Sequence, residues 1–246
     1  KKWDLVDGNI LKMHSNLFFF QKDIQKVSRR IILNINEDQT NVILGFKNKK
    51  LYGETGLSDW IFDLEFSISP NSFFQVNPIQ TEVLYNQAIE YAQIDDTLNV
   101  FDIYCGIGTI SLAMAKKAKH VYGIEIVQEA IEDANKNARK NKIENVDFYC
   151  GKAEEIFPKL HNQGVGADVV IVDPPRNGCE RSVLDTIIKM KPVRVVYVSC
   201  NPATLARDLK ILVDGGYKVV EVQPLDMFPH SVHVETCSLL MRQNRD

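Results

Sequence analysis

An alternation of short apolar runs with amphipathic stretches, beginning near residue 79, constrains the fold of this chain more than any other feature. The apolar runs are rich in valine and isoleucine and have the length of strands, and the stretches between them repeat apolar residues at helical spacing. We predict strands at 98–103, 120–124, 146–149, 167–172, 193–199, 218–222 and 234–241. We predict helices at 79–93, 107–117, 127–141, 181–190 and 203–214.

Strands that are apolar on both faces and alternate with helices form a mostly parallel sheet, which the helices cover on both sides. The last two predicted strands are joined by a loop alone, so we expect them to pair antiparallel at one edge. The sequence therefore predicts a Rossmann-like α/β fold with a mostly parallel seven-stranded sheet and a terminal antiparallel strand.

Residues 1 to about 70 have a different pattern. Short β-like runs at 31–35 and 42–46 flank a polar turn at 36–40, and a further run follows at 61–68. We therefore predict a small β-rich lobe at 1–70, followed by the α/β domain at 71–246.

The composition is that of an ordinary globular chain, with 45% apolar and 25% charged residues. No apolar run approaches the roughly 20 residues that span a bilayer, so we predict no membrane association and a cytoplasmic location. The five cysteines never form a CxxC pair, which argues against a disulfide framework or a zinc site. A formal charge of −3 is unfavourable for holding a polyanion. The chain begins with Lys1 rather than methionine, and we expect it to be a fragment.

A turn with two glycines follows the strand predicted at 98–103 and opens a helix. Gly106 and Gly108 allow the backbone to approach a ligand closely, and the helix aims its N–H groups at that ligand. Glu125 closes the next predicted strand, 19 residues after Gly106, where a carboxylate can accept hydrogen bonds from both ribose hydroxyls. This pattern predicts a cofactor site. Ser111 stands where nicotinamide cofactors favour a third small residue, but the glycine spacing leaves them open.

Two other predicted strands end in unusual segments, 173–176 with two prolines and 199–202 with Cys200. Ligands of open α/β sheets bind outside the carboxyl ends of strands, so both segments should face the cofactor crevice. Cys200 precedes a predicted helix, whose dipole favours a lowered thiol pKa, although a lone cysteine is commonly a small core residue. The segment 228–235 brings two histidines beside Glu235, but its irregular loop disfavours a metal site and we predict none.

Five ordered segments together resemble the family of S-adenosylmethionine-dependent tRNA and rRNA uracil-5 methyltransferases, and the likeness extends from about Ser69 to the C-terminus. The segments are Ser72-Phe73-Phe74-Gln75-Val76-Asn77-Pro78, Asp102-Ile103-Tyr104-Cys105-Gly106-Ile107-Gly108-Thr109, Asp173-Pro174-Pro175-Arg176, Ser199-Cys200-Asn201-Pro202-Ala203-Thr204 and His233-Val234-Glu235. The runs 201–208 and 226–229 resemble the Gram-positive type that modifies 23S ribosomal RNA.

The resemblance implies a class I methyltransferase domain at 71–246 that methylates carbon 5 of a uridine in RNA, with 23S rRNA as the expected substrate and S-adenosylmethionine as the cofactor. It implies that Cys200 is the nucleophile and Glu235 the general base. The residues that it implies for the cofactor pocket are Gln75, Tyr104, Gly106, Glu125 and Asp173. No protein partner is evident from the sequence, and we expect a monomer.

The chain departs from the family in a few places. Ser231 stands where these enzymes commonly have threonine, which retains the hydroxyl. The N-terminal RNA-binding β-barrel of the family, and the cysteine cluster that many members carry, are not recognisable. Phe73 or Phe74 is a candidate for stacking on a nucleotide, although both can equally be core aromatics. Candidates for phosphate contacts are Lys22, Lys26, Arg29, Arg30, Lys47, Lys49 and Lys50, although a run of charges is usually a solvated face.

Other functions remain open. A tRNA uracil-5 methyltransferase would share the same motifs. An RNA cytosine-5 methyltransferase would share the covalent chemistry, but that class generally has a cysteine after the two prolines, where this chain has Arg176. A non-catalytic RNA- or cofactor-binding module and a nicotinamide-dependent oxidoreductase are the alternatives from other classes.

Overall fold

The computed structural model describes residues 3–6, 10–13, 16–19, 30–36, 45, 47–54, 56–75 and 77–243. The chain divides into two compact units. The first comprises Lys1–Leu57 and Ser69–Asn71, and the second comprises Ser58–Ile68 and Ser72–Asp246. Within the described residues, no helix is both long and apolar enough to cross a membrane.

The first unit is built from antiparallel strands. A three-stranded sheet contains β1 (Trp3–Val6), β2 (Ile10–Met13) and β3 (Asn16–Phe19), and a separate pair contains β4 (Arg30–Ile35) and β5 (Lys47–Gly53). The structure confirms the strand predicted at 31–35. The run predicted at 42–46 and the turn predicted at 36–40 lie outside the described residues except for positions 36 and 45.

The second unit contains a seven-stranded sheet. Its strands are β8 (Asn99–Ile103), β9 (His120–Glu125), β10 (Val146–Cys150), β11 (Val169–Val172), β12 (Arg194–Ser199), β13 (Tyr217–Leu225) and β14 (Glu235–Arg242). The order across the sheet is β10-β9-β8-β11-β12-β14-β13. The five strands from β10 to β12 are parallel, and β14 is antiparallel to both of its neighbours. The mostly parallel sheet and the antiparallel pairing of the last two strands are therefore confirmed.

Helices cover both faces of this sheet. They are α1 (Pro78–Ala92), α2 (Thr109–Ala115), α3 (Gln128–Lys140), α4 (Ala153–Asn162), α5 (Arg181–Met190) and α6 (Pro202–Asp214). Strand residues alternate between the two faces, so that Ile171 packs in the core with α1 to α3 and Val170 in the core with α4 to α6. Asparagine caps followed by proline start α1 and α6, a local signal for a helix start.

Helix α4 was missed by the sequence analysis because Pro158 lies inside it. A proline in a helix interior cannot donate to the carbonyl four residues earlier, here that of Glu154. The hydroxyl of Ser182, from the neighbouring helix α5, donates to this carbonyl at 3.3 Å. Phe157 and Leu160 are buried against the sheet. A tertiary contact thus replaces the missing helical hydrogen bond.

A hairpin of β6 (Leu57–Ile61) and β7 (Leu64–Ile68) packs on helix α3 within the second unit. Asn137 accepts a hydrogen bond from Ser67 N at 2.7 Å and donates to Ser67 O at 3.3 Å. Asn141 makes the same pair of bonds with the backbone of Glu65. The hairpin therefore groups with the α/β part of the chain, although we had expected these residues to belong to the lobe at 1–70, and the division into two domains remains a prediction.

We predict that Asn137→Ala lowers the free energy of unfolding by about 2–4 kcal/mol, because it leaves buried peptide groups at Ser67 without partners. Urea unfolding followed by circular dichroism measures the change. Lys136→Ala, at the exposed neighbouring position, is the matched control and should change stability by less than about 0.5 kcal/mol. Equal stabilities of the two variants would contradict a stabilising role for the hydrogen bonds between Asn137 and the backbone of Ser67.

Candidate active site

The candidate site lies at the carboxyl edge of the parallel strands. Strands β8, β9, β11 and β12 all end at this edge, as the parallel registers require. Strand β14 runs in the opposite direction, so that its first residue, Glu235, reaches the same edge. Ser199 pairs with Thr236, which makes Cys200 and Glu235 the next positions on two neighbouring strands. The structure thus brings together two residues that are 35 positions apart in the sequence.

The turn after β8 is held by main-chain hydrogen bonds. The N–H groups of Tyr104 and Cys105 donate to Ile124 O at 2.9 and 3.0 Å. Gly106 and Gly108 have φ angles of +55° and +82°, and a Cβ at Gly108 would lie 2.8 Å from the ring of Phe148. Glycine at 108 is therefore required by both the backbone conformation and the available space.

Glu125 is oriented by the backbone around it. Its Oε2 accepts from Gly106 N at 3.2 Å, and its Oε1 accepts from Ile126 N and Val127 N at 2.8 and 2.9 Å. A carboxylate has about four acceptor positions, so this arrangement leaves capacity for a ligand hydroxyl. The predicted ribose contact is compatible with this geometry and remains a prediction.

A cavity of about 400 Å³ opens beside the turn. Its lining residues are Phe73, Phe74, Gln75, Tyr85, Asp102, Tyr104, Cys105, Gly106, Ile107, Thr109, Ile110 and Asp173. Two acceptor atoms in this lining, Gln75 Oε1 and Asp102 Oδ1, are buried without a hydrogen-bond partner among the described residues. Buried polar atoms are normally satisfied, so these two acceptors fit a ligand that carries hydrogen-bond donors. Of the five residues predicted for the cofactor pocket, all but Glu125 line the cavity.

Asp102 belongs to this cavity but was not predicted as a site residue. Its Oδ2 accepts from the hydroxyl of Ser111 at 2.5 Å. Burial raises the pKa of Asp102 to about 6, against the opposing effect of the Ser111 hydrogen bond. The signal for it in the sequence was an aspartate inside an otherwise apolar strand. Tyr85, whose hydroxyl lies 3.2 Å from that of Thr109, was also not predicted, since no sequence motif distinguishes it within the helix predicted at 79–93.

Asp173 connects the cavity to Cys200 and Glu235. Burial raises the pKa of Asp173 to about 7, and the charges of Glu235 and Asp102 add to the effect. Burial also raises the pKa of Glu235, while the positive charge of Arg176 opposes the rise. The carboxyl groups of Glu235 and Asp102 therefore both lie within electrostatic range of Asp173.

The expected lowering of the Cys200 pKa is wrong in direction. Burial raises the pKa of the Cys200 thiol, and the charges of Glu235 and Asp173 raise it further. A backbone hydrogen bond and the Arg176 charge oppose the rise but do not outweigh it. Burial, together with two neighbouring carboxylates, disfavours a thiolate more than the start of a helix favours it.

The loop 173–180 is fastened to helix α6. The side chain of Asn201 caps this helix by accepting from Ala203 N and donates to Arg176 O at 3.0 Å, and the hydroxyl of Thr204 donates to the same carbonyl. Buried Asp208 accepts from Cys179 N and from the hydroxyl of Tyr197. These bonds keep Asp173 and Arg176 in place relative to Cys200.

The loop before β14 is ordered by Ser231. The Ser231 hydroxyl donates to Phe228 O at 2.7 Å and accepts from His233 N at 3.2 Å. His230 and His233 are exposed, and no set of three or more potential metal ligands converges in the described part of the chain.

Phe73 and Phe74, the two candidates for stacking on a nucleotide, differ in their exposure to solvent. Phe74 packs against the core and its ring lies 6.4 Å from that of Phe66, whereas the side chain of Phe73 is 73% exposed. Both rings line the cavity, and Phe73 is the one of the two whose side chain is mostly exposed. Val76, in the same motif, lies outside the described residues.

The sequence model of the tRNA (uracil-5-)-methyltransferase family matches residues 46–243. An uncharacterized RNA methyltransferase of Bacillus cereus (strain ATCC 10987) is 58% identical over 214 residues, which cover 87% of this chain and 46% of that relative. An uncharacterized RNA methyltransferase of Caldanaerobacter subterraneus subsp. tengcongensis is 58% identical over 238 residues, which cover 97% of this chain and 53% of that relative. The chain thus spans about half the length of the curated relatives it matches.

A solved structure is similar as well. The Pyrococcus abyssi tRNA (uracil-54, C5)-methyltransferase, in complex with S-adenosyl-L-homocysteine, aligns with a TM-score of 0.70 and 32% identity. The alignment covers 87% of this chain and 51% of that protein. This similarity agrees with the Rossmann-like fold predicted from the sequence. The match to the family over most of the chain confirms the resemblance, and the chain belongs to the tRNA (uracil-5-)-methyltransferase family.

Proposed function

We propose that this chain is the catalytic part of an RNA methyltransferase that transfers a methyl group from S-adenosylmethionine to carbon 5 of a uracil. The observation that carries the proposal is that Cys200 and Glu235 lie at neighbouring positions of two paired strands. Asp173 lines the cavity, and its charge acts on Cys200 while that of Glu235 acts on Asp173. The two candidate catalytic side chains and a cavity lined by polar atoms lie at the same edge of the sheet.

The cavity has the chemistry that S-adenosylmethionine requires. Gln75 Oε1 and Asp102 Oδ1 offer unpartnered acceptors, and Glu125 retains acceptor capacity for a ribose. Tyr104 and Gly106 contribute to the wall. When bound, S-adenosylmethionine supplies an electrophilic methyl group on a positively charged sulfur. Asp173 lies where its charge can orient the sulfonium against the reacting base.

Cys200 activates the uracil. Carbon 5 of uracil is too weak a nucleophile to accept a methyl group unaided, and addition of a thiolate to carbon 6 produces an enolate whose carbon 5 is nucleophilic. The raised pKa of Cys200 disfavours the thiolate, and a reduction of the surrounding negative charge would favour it. The positive charge of Arg176 acts in that direction.

Glu235 completes the reaction. After methylation, carbon 5 carries both a methyl group and a proton, and removal of that proton by a base allows the bond between Cys200 and carbon 6 to break. The raised pKa of Glu235 makes it a stronger base than an exposed glutamate, and the Arg176 charge limits the rise. Glu235 takes the proton and Cys200 leaves as a thiolate.

The proposed substrate is 23S ribosomal RNA acted on by a monomer. The support is the resemblance of the runs 201–208 and 226–229 to enzymes of that type, whereas the similar Pyrococcus enzyme is by name a tRNA methyltransferase. Exposed Phe73 would stack on a nucleotide when the target base is drawn out of its stack. Lys47, Lys49 and Lys50 are exposed on β5 and available to phosphates, whereas Lys22, Lys26 and Arg29 lie outside the described residues.

Removing the negative charge beside Cys200 should make its thiol ionise at lower pH. We predict that Glu235→Gln shifts the pH profile of Cys200 alkylation by iodoacetamide toward lower pH, because a charge that disfavours the thiolate is lost. Mass spectrometry of the Cys200 peptide measures the rate. Glu221→Gln, at an exposed position on β13, is the control and should leave the profile unchanged. A shift toward higher pH would contradict the assigned electrostatics.

A covalent trap tests the nucleophile. With S-adenosylmethionine and RNA that contains 5-fluorouridine, we expect the full-length protein to form a denaturation-resistant protein–RNA band, since fluorine cannot leave as a proton does. Cys200→Ala should abolish the band and retain S-adenosylmethionine binding. Cys150→Ala, which changes an exposed free cysteine, should form the band normally. A band that persists in Cys200→Ala would exclude Cys200 as the nucleophile.

A different variant tests the base. Glu235→Gln should reduce turnover by about 10²- to 10⁴-fold, because proton removal from carbon 5 fails. Methyl transfer itself should still occur, so a methylated covalent adduct should accumulate with ordinary uridine RNA. Gel electrophoresis with radiolabelled methyl groups detects it. A variant that turns over normally would show that another group removes the proton.

A further inference from the structure

Carboxyl groups from two strands form one side of the cavity. Asp102 lies in β8 and is buried, and Asp173 follows β11 and is half-buried. Glu235 at the start of β14 is close enough for its charge to act on Asp173, and Asp102 acts on Asp173 as well. The three acidic groups therefore lie within electrostatic range at Asp173, and two of them, Asp102 and Glu235, are buried.

The other charged and titratable groups near these carboxyls do not neutralise them. Tyr85 from α1, Cys105 from the glycine turn, Glu125 from β9 and Cys200 after β12 are neutral or negative. Arg176 acts on Glu235 and Cys200, but no cation among the described residues contributes to the electrostatics of Asp102 or Asp173. The cavity thus has two carboxyl groups without a positive partner in the described part of the chain.

An uncompensated carboxylate in a poorly solvated cavity is costly, and a cationic ligand relieves the cost. We propose that Asp102 and Asp173 act as a charge filter, which selects the positively charged sulfonium of S-adenosylmethionine over the neutral thioether of S-adenosylhomocysteine. The inference rests on the proposed function, and it assigns these two residues a part in specificity and product release.

Methyl transfer would remove the attraction between the two carboxyl groups and the sulfonium. When the methyl group leaves the sulfonium, the bonding electron pair stays on sulfur, so a positive ligand becomes a neutral one. The carboxyls then no longer face the sulfonium charge, and their tendency to take up a proton increases. Before the cation binds, the pKa is about 6 for Asp102 and about 7 for Asp173. Cation binding and protonation of these carboxyls should therefore compete near neutral pH.

The preference for the sulfonium over the thioether should depend on pH through Asp102 and Asp173. Above both pKa values the carboxyls are ionised and the preference for the cation is greatest. As the pH falls through about 7 and then about 6, each carboxyl becomes neutral and the preference declines. A bound cation lowers both pKa values, so its binding should release protons at pH values from about 7 downward, where the free carboxyls are protonated and the bound ones are not. Binding of the neutral thioether should release fewer.

Isothermal titration calorimetry tests the filter without any measurement of activity. We expect the ratio of the Kd for S-adenosylhomocysteine to the Kd for S-adenosylmethionine to rise at least about tenfold between about pH 5.5 and about pH 8.5, since one opposite charge commonly shifts a pKa by 1–3 units. Repeating the titrations in buffers of different ionisation enthalpy gives the number of protons released by each ligand.

Variants assign the effect to the carboxyls. Asp173→Asn should flatten the pH dependence and lower the ratio at high pH by about tenfold. Asp102→Asn, which retains an acceptor for Ser111, should have a similar effect. Asp214→Asn, at an exposed position of α6, is the matched control and should behave as the unmodified protein.

Three results would overturn the charge filter. A pH-independent ratio would refute it while leaving the proposed function standing, because both ligands would still bind. Asparagine variants that fold, as judged by circular dichroism, and keep the full pH dependence would assign the effect to other groups. Absence of binding by both ligands at every pH would overturn the proposed function together with the filter.

Discussion

The antiparallel pairing of β14 with β12 is the constraint on which the site depends. Six residue pairs, from Arg194 with Met241 to Ser199 with Thr236, set the register of the two strands. Because β14 runs against the parallel strands, its start reaches the edge where they end, and Glu235 arrives beside Cys200. A slip of one residue would turn Glu235 to the other face of the sheet, since side chains alternate along a strand. The buried residues of β14 hold that register through the core.

The carboxyl groups at this edge have two opposing electrostatic effects. Carboxyl groups near the cavity favour a positive ligand, but they also raise the pKa of the thiol that has to ionise. In the proposed reaction, a bound sulfonium offsets the negative charge, so its arrival favours the thiolate of Cys200. Arg176 acts in the same direction from the rim. In that proposed reaction, the cationic ligand would be in place before the uracil is attacked.

Polar side chains buried away from the site keep its parts in position. Asn137 and Asn141 bind the hairpin to α3, and Asp208 binds the loop 173–180 to α6. Ser182 replaces the hydrogen bond that Pro158 removes from α4. Each of these groups satisfies backbone atoms that would otherwise be buried without partners. Their hydrogen bonds connect elements that are distant in the sequence.

The sequence by itself determined the alternation of strands and helices, the parallel sheet and the glycine turn, because hydrophobic spacing and turn chemistry are local properties. It also placed Asp173 and Cys200 at strand tips, and the family motifs pointed to Gln75 and Glu235. Helix α4 was not predicted, because the hydrogen bond to Glu154 O that Pro158 cannot donate comes instead from Ser182 in another helix.

Only the tertiary structure decided that β14 lies between β12 and β13, that Asp102 Oδ1 has no hydrogen-bond partner among the described residues, and that the pKa of Cys200 rises. Strand order, burial and the distance between charges arise from contacts between residues far apart in the chain, and no local pattern contains them.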